Sequence, residues 1–266
     1  NGKSICIIPE QGIGDTIQFA RYLFFLSKKY SCKIYFYVNE KYLYLFRNCP
    51  FNIITDLKHV SSIDYYQYLM SLQRIYYKEF NKFFKNVNYI NSNKNIDQIW
   101  KNKINTLKKP IIALNWQGNP NYPEDHLRSI PLEYFKKIIT SQKYNFISLQ
   151  KGYGAEQIKI NKLTNYITDL SEQIDLKDDL FIDTISILKN IDLLITSDTA
   201  LAHLAGTMEI NTFLLLNYNP EWRWTIEINN KCFYTKKLNI IQQIKYNDWQ
   251  SVINQLDKKL DKFLKT

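Results

Sequence analysis

The sequence predicts an α/β protein made of two doubly wound parallel sheets. Three observations carry that expectation. Short apolar runs alternate with amphipathic segments along most of the 266 residues, the pattern of parallel strands joined by crossover helices. A strand, a tight turn and a helix occur near the start and again at Ile191–Gly206. A linker-like Lys108-Lys109-Pro110 divides the chain into units of 1–108 and 109–266.

In the first unit, Ser4–Pro9 reads as a buried strand and Glu10–Asp15 as a glycine-bearing turn. Thr16–Lys29 follows as a helix, with Ile17, Ala20, Leu23 and Phe24 at helical spacing. Lys33–Val38 is a second strand, Asn39–Arg47 a helix and Phe51–Thr55 a third strand. From His59 to Tyr89 the periodicity blurs. Aromatic residues crowd Tyr65–Phe84, with Arg74, Lys78, Lys82 and Lys85 between them. That mixture suits core packing with snorkelling lysines better than a stacking platform for bases or sugars. Ile96–Leu107 closes the unit as a helix.

The second unit is regular. Strands Ile111–Trp116, Phe146–Leu149, Tyr166–Thr168, Leu193–Thr196 and Thr212–Leu216 alternate with helices Leu132–Thr140, Ala155–Leu163, Leu180–Lys189 and Thr199–Thr207. A last helix, Asp248–Leu264, sets Trp249, Val252, Ile253, Leu256, Leu260 and Leu264 on one stripe. Its length suits packing across the junction between the units.

Hydrophobic residues make up 45% of the chain, enough for real cores. No apolar run approaches the ~20 residues of a membrane span. A core strand at Ser4–Pro9 leaves no secretory signal to be expected. Cys6, Cys32, Cys49 and Cys232 form no CxxC pair and have no histidine at ligand spacing, which argues against a zinc site or a disulfide framework. A reduced, cytoplasmic protein is expected. Residues 1–108 carry 16 Lys/Arg against 7 Asp/Glu, while residues 109–266 carry 19 against 18. This asymmetry suits a first unit that faces nucleic acid, a membrane surface or a phosphorylated acceptor, or one with simply a solvated basic surface.

Ligands of open α/β sheets sit outside the carboxyl ends of the strands. The turn at Ser197-Asp198-Thr199 opens a helix whose first N–H groups, with the macrodipole, suit a phosphate. His203 lies one turn on, on the face of Thr199. Near the start, Gly12 and Gly14 allow a close approach, but the dinucleotide fingerprint fails because position 17 is Ile. Asp15 is either the helix N-cap or a general base aimed into the cleft. Other strand-end loops carry His126 and Arg128, then Gln150 and Lys151, and finally Glu221–Trp224.

Five segments together resemble glycosyltransferase family 9, the group of the bacterial heptosyltransferases, and more closely its relatives fused to tetratricopeptide repeats. They are QGIGDTIQFARYL, ALNWQGNP with LRSIPLEYF, FISLQKGYG, ITSDTALAHLAG and NPEWRWT, in that order along most of the chain. The resemblance implies a GT-B fold, with two Rossmann-like domains facing a cleft. The nucleotide-sugar donor would lie on the second domain and the acceptor on the first. It implies metal-independent, inverting transfer with no cofactor beyond the co-substrate. Asp15 falls on the proposed base. Asp198, Thr199, Ala200 and His203 fall on the diphosphate-binding segment, and Arg128 on the cation that neutralises the leaving nucleotide. Gly14 joins the donor side. Gln150 and Lys151 fall at the ribose, and Asp169 and Leu170 at the base edge. Gln18 and Trp222 are the acceptor-side candidates. The expected acceptor is a hydroxyl of a glycan, lipid-linked or protein group, with peripheral membrane contact possible and no nucleic acid partner. A sugar epimerase, a nucleotide-sugar-binding module without catalysis, and a nucleic-acid binder are the rival classes; three histidines are few for the first, and no reading motif supports the last.

Overall fold

A computed structural model of the chain describes residues 2–60, 62–76, 88–107, 110–176, 180–224, 226–227, 231–232 and 237–263. The first four strands, β1 (Ser4–Ile8), β2 (Lys33–Tyr37), β3 (Asn52–Ile54) and β4 (Tyr65–Tyr68), make a parallel sheet in the order β3-β2-β1-β4. Helices α1 (Ile13–Phe19), α2 (Arg21–Lys29), α3 (Leu43–Phe46) and α4 (Ser71–Ile75) accompany it. Helix α5 (Lys94–Ile104) then leads to the second sheet.

That sheet holds β5 (Ile111–Asn115), β6 (Asn145–Ser148), β7 (Ile167–Asp169), β8 (Leu193–Ser197), β9 (Thr212–Leu216), β10 (Ile226–Glu227), β11 (Lys231–Cys232) and β12 (Leu238–Gln242). Its order is β10-β11-β12-β9-β8-β5-β6-β7, parallel from β12 to β7 and antiparallel at β10 and β11. The parallel part has the 3-2-1-4-5-6 winding of a Rossmann sheet. Between the strands lie α6 (Asp125–Arg128), α7 (Lys136–Thr140), α8 (Gln157–Ile160), α9 (Ile182–Leu188) and α10 (Ala200–Thr207), and α11 (Trp249–Phe263) ends the described chain.

Burial explains the regular pattern of the second unit. Every residue of β5, β8 and β9 is buried, so these strands appear in sequence as unbroken apolar runs. No alternation marks β4 in the sequence, because Tyr65, Tyr66 and Tyr68 are all exposed. β10, β11 and β12 were missed as well. Residues 77–87, including Lys78, Lys82 and Lys85, lie outside the described residues, as do Lys108 and Lys109.

Three other expectations change. The single helix Thr16–Lys29 is two helices that meet at Ala20, where Leu23 N–H turns back to Ala20 O at 3.0 Å and Arg21 Nε takes the Gln18 carbonyl at 2.7 Å. The first of them begins earlier than expected. Gly12 is its N-cap, and Thr16 N–H already bonds Gly12 O at 3.1 Å. Asp15 therefore sits inside the first turn and is not the cap. The last helix does not bridge the units: Trp249, Val252, Ile253, Leu256 and Leu260 pack with Ile112, Phe135 and Phe213 in a core made wholly of residues after 110. A second core does run between the sheets, joining Leu23 and Phe36 to Leu194, Leu204 and Leu214. Among the described residues, no helix is long and apolar enough to cross a membrane.

Leu256 is 0% exposed in the core of the second sheet. Leu256→Ala should cost about 2–5 kcal/mol of stability, read from the urea midpoint.

Candidate functional site

The two sheets meet through their helix N-termini. Helix α1, which follows β1, packs on α10, which follows β8. Gly14 makes the contact possible: a Cβ there would lie 2.9 Å from His203 Cδ2 and 3.3 Å from Ala200 Cα. The carboxyl ends of β1, β5, β6 and β8 thus open into one cavity of about 1100 Å³. Its walls include Asp15 and Tyr42 from the first sheet, and Arg128, Asp198, Thr199 and Ala200 from the second.

The turn from β8 into α10 is held from several sides. Asn115, at the end of β5, is paired in register with Thr196. Its Oδ1 accepts hydrogen bonds at 3.1 Å from the hydroxyls of Thr196 and Thr199. Thr199 is the helix N-cap in extended conformation, but its side chain bonds Asn115 rather than capping. The N–H groups of Ala200 and Leu201 precede the first i→i−4 bond of the helix and face this end of the sheet. Arg128 donates from Nη1 to Asp198 O at 2.8 Å and from Nε to Asp125 Oδ1 at 3.0 Å. A guanidinium and a helix N-terminus therefore share one turn, the arrangement that attracts a diphosphate. Loss of solvent around Asp198 pushes its carboxyl up, while a hydrogen bond from the Trp224 side chain and the charge of Arg128 pull it back.

His203 is buried and stacks on Trp224, with ring centroids 4.5 Å apart and planes 17° from parallel. Burial, followed by the charges of Arg21 and Arg128, holds its pKa down to about 3. The ring is neutral at physiological pH, as expected for a histidine near a helix N-terminus, and it forms part of the seam between α1 and α10. Trp224, itself buried, packs on this ring and donates to Asp198.

The remaining predicted residues divide. Lys151 lines the cavity and binds the carbonyls of Ile174 and Asp175. Gln150 lines it too, but its amide is engaged within the protein. Oε1 accepts from Asn115 Nδ2 at 2.8 Å, Gln117 N at 2.9 Å and Trp116 N at 3.2 Å, and Nε2 donates to Tyr153 O at 2.8 Å and Gln117 O at 3.2 Å. It braces the loop after β5. Asp169, Leu170, Gln18 and Trp222 are not in the cavity wall. Leu170 and Gln18 are buried in the core, and Asp169 and Trp222 are exposed. Leu149, Ile174, Leu180 and Phe181 line the wall beyond β6 and β7 instead. Among the described residues, the wall from the first sheet holds Asp15 but no Lys or Arg.

Two features escaped the sequence reading. Asp175, buried, accepts from Asp183 N at 2.8 Å and from Thr184, capping α9 from a distance, and burial raises its carboxyl above the ordinary range. Next to that helix start, Phe181 has φ +72, a conformation costly for a bulky side chain. Asp125 is the other; its i,i+3 spacing from Arg128 is the available signal. No group of three or more His, Cys, Asp or Glu able to hold a metal ion occurs among the described residues.

No family model matches the sequence, and no curated protein sequence matches it. Solved structures do. A family 9 glycosyltransferase from Veillonella parvula aligns with a TM-score of 0.67 over 98% of this chain and 97% of its own, at 12% identity. The ADP-heptose lipopolysaccharide heptosyltransferase II of Escherichia coli aligns with a TM-score of 0.61 over 98% of both chains, at 10% identity. The chain has their fold. Escherichia coli heptosyltransferase WaaC, solved with ADP-2-deoxy-2-fluoro heptose, shares it with a TM-score of 0.60, 9% identity and coverage of 97% of this chain and 99% of that one.

Gly14 is the point of closest approach between the two helices. Gly14→Ala should push α1 from α10 and lower stability by about 1–3 kcal/mol, read as a drop in melting temperature.

Proposed function

We propose that this chain is an inverting, metal-independent glycosyltransferase of the family 9 kind, moving a hexose or heptose from a nucleotide-diphosphate donor to an acceptor hydroxyl. The observation that carries the proposal is the cavity in which Asp15, from one sheet, and the Arg128-braced start of α10, from the other, share a wall. The heptosyltransferase structures, one of them with a nucleotide sugar, support it through their common fold. In this reading residues 1–108 serve the acceptor and residues 109–266 the donor.

The acceptor hydroxyl approaches the anomeric carbon from the side of Asp15. Its oxygen forms the new bond as the bond from that carbon to the diphosphate oxygen breaks, and the Asp15 carboxylate takes the hydroxyl proton. Negative charge gathers on the departing diphosphate. The N–H groups of Ala200 and Leu201 and the Arg128 guanidinium are fixed before the charge appears, so they stabilise it without reorganising. These groups supply the charge that a divalent cation supplies elsewhere. Lys151 and the apolar wall of Leu149 and Ile174 suit the nucleoside end, and neutral His203 supports the turn.

The test is sugar transfer, or slow donor hydrolysis, with ADP-, UDP- and GDP-sugars. Arg128→Ala should lower kcat by about 100–1000-fold, and Asp15→Ala by about 100–10,000-fold. Chelation with EDTA should leave the wild-type rate unchanged. Equal turnover in wild type and both variants contradicts the assignment. Binding of nucleoside diphosphates without transfer to any acceptor would make the chain a binding module.

A further inference from the structure

The Arg128 guanidinium is gripped along one edge by a carboxylate that the proposed chemistry does not use. Asp125, 4% exposed, accepts from Arg128 Nε at 3.0 Å through Oδ1. Through Oδ2 it accepts from Gln117 Nε2 at 2.6 Å and Ser129 Oγ at 2.8 Å. Ser129 Oγ in turn accepts from Gly118 N at 2.9 Å. The carboxylate is therefore fixed by two neutral donors in addition to its cation, and it has little freedom to follow Arg128 should the arginine move.

The sequence has made room for this pair. A Cβ on Gly118 would lie 2.1 Å from Asp125 Oδ1 and 2.8 Å from Arg128 Nη2. Gly118 and Arg128 both line the cavity, so the missing side chain leaves the guanidinium open on the cavity side. The arginine is otherwise held by the Asp198 carbonyl on Nη1 and by the Tyr122 ring, 4.7 Å from its central carbon. A lone surface pair of this kind contributes little, but this carboxylate is buried and multiply bonded, so its geometry is stiff.

We propose that Asp125 is a positioning residue: it aims Arg128 at the start of α10, where a departing diphosphate would collect its charge. The proposal rests on the reading of Arg128 given above. It explains why a cation needed for an anion is partly neutralised by an acid. Asp125 gives up some raw attraction for the ground state in return for a fixed direction, and direction is what lowers a barrier.

Two measurements test it. In ¹⁵N spectra the Arg128 Nε–H resonance, assigned by its loss in Arg128→Lys, should exchange with solvent slowly in the wild type and at least about tenfold faster in Asp125→Asn. Kinetics with ADP-heptose, UDP-glucose and GDP-mannose come second. Asp125→Asn should lower kcat about tenfold or more while the ADP dissociation constant shifts less than about threefold. In an Arg128→Ala background, Asp125→Asn should lower kcat no further. Should Asp125→Asn fail to fold, Ser129→Ala loosens the same carboxylate and should show the same pattern at smaller amplitude. Unchanged Nε–H exchange overturns the proposal, and so do losses that multiply in the double variant. A wild-type protein that turns over none of the three donors would instead count against the glycosyltransferase reading, with the exchange measurement still deciding the role of Asp125.

Discussion

The approach of α1 to α10 is the contact on which the rest of the site depends. Each helix follows a central strand of its sheet, and each presents its first turn to the same cavity. Gly14 permits the approach, because any Cβ at that position would strike His203 and the Ala200 backbone. The His203 ring, stacked on Trp224, fills the seam from the other side. With the seam closed, Asp15 and the Thr199–Ala200 turn lie in one cavity wall. Without it they would belong to two unrelated strand ends.

Meeting of two helix N-termini has an electrostatic consequence. Both first turns carry partial positive charge, and Arg128 adds a full one beside the β8–α10 turn. Burial, and after it the charges of Arg21 and Arg128, disfavour a protonated histidine in that seam and hold the pKa of His203 down to about 3. The acids are distributed to match: Asp15 in the first turn of α1, and Asp125 against Arg128. The arrangement leaves a positive turn facing the cavity on one side and a carboxylate on the other.

Much of this was legible in the sequence, for physical reasons. β5, β8 and β9 are buried at every residue, so they announce themselves as apolar runs, and the loops after them follow from the chain direction of a parallel sheet. Asp15, Arg128, Lys151, Asp198, Thr199, Ala200 and His203 lie on such loops or the turns after them, and all line the cavity. Gln18, Leu170, Asp169 and Trp222 lie outside that wall. Gln18, one turn beyond Asp15, is buried, while Asp169 and Trp222 are exposed. Gln150 lines the cavity too, but five bonds within the protein converge on its amide, which only the folded loop shows. β4 could not be read from periodicity, since its tyrosines are exposed on both faces. The final helix was assigned to the junction from its length alone. Its apolar stripe fits the second sheet, where Phe213 and Ile112 complete the same core.

The central claim is that the first turn of α10, with Arg128, is built to hold a diphosphate. A crystal structure of the protein soaked with a nucleoside diphosphate tests it most directly. The account predicts diphosphate density within hydrogen-bond distance of the Ala200 and Leu201 N–H groups and the Arg128 guanidinium, with the nucleoside running toward Lys151. Density elsewhere, with this turn left to solvent at a saturating concentration, would contradict it.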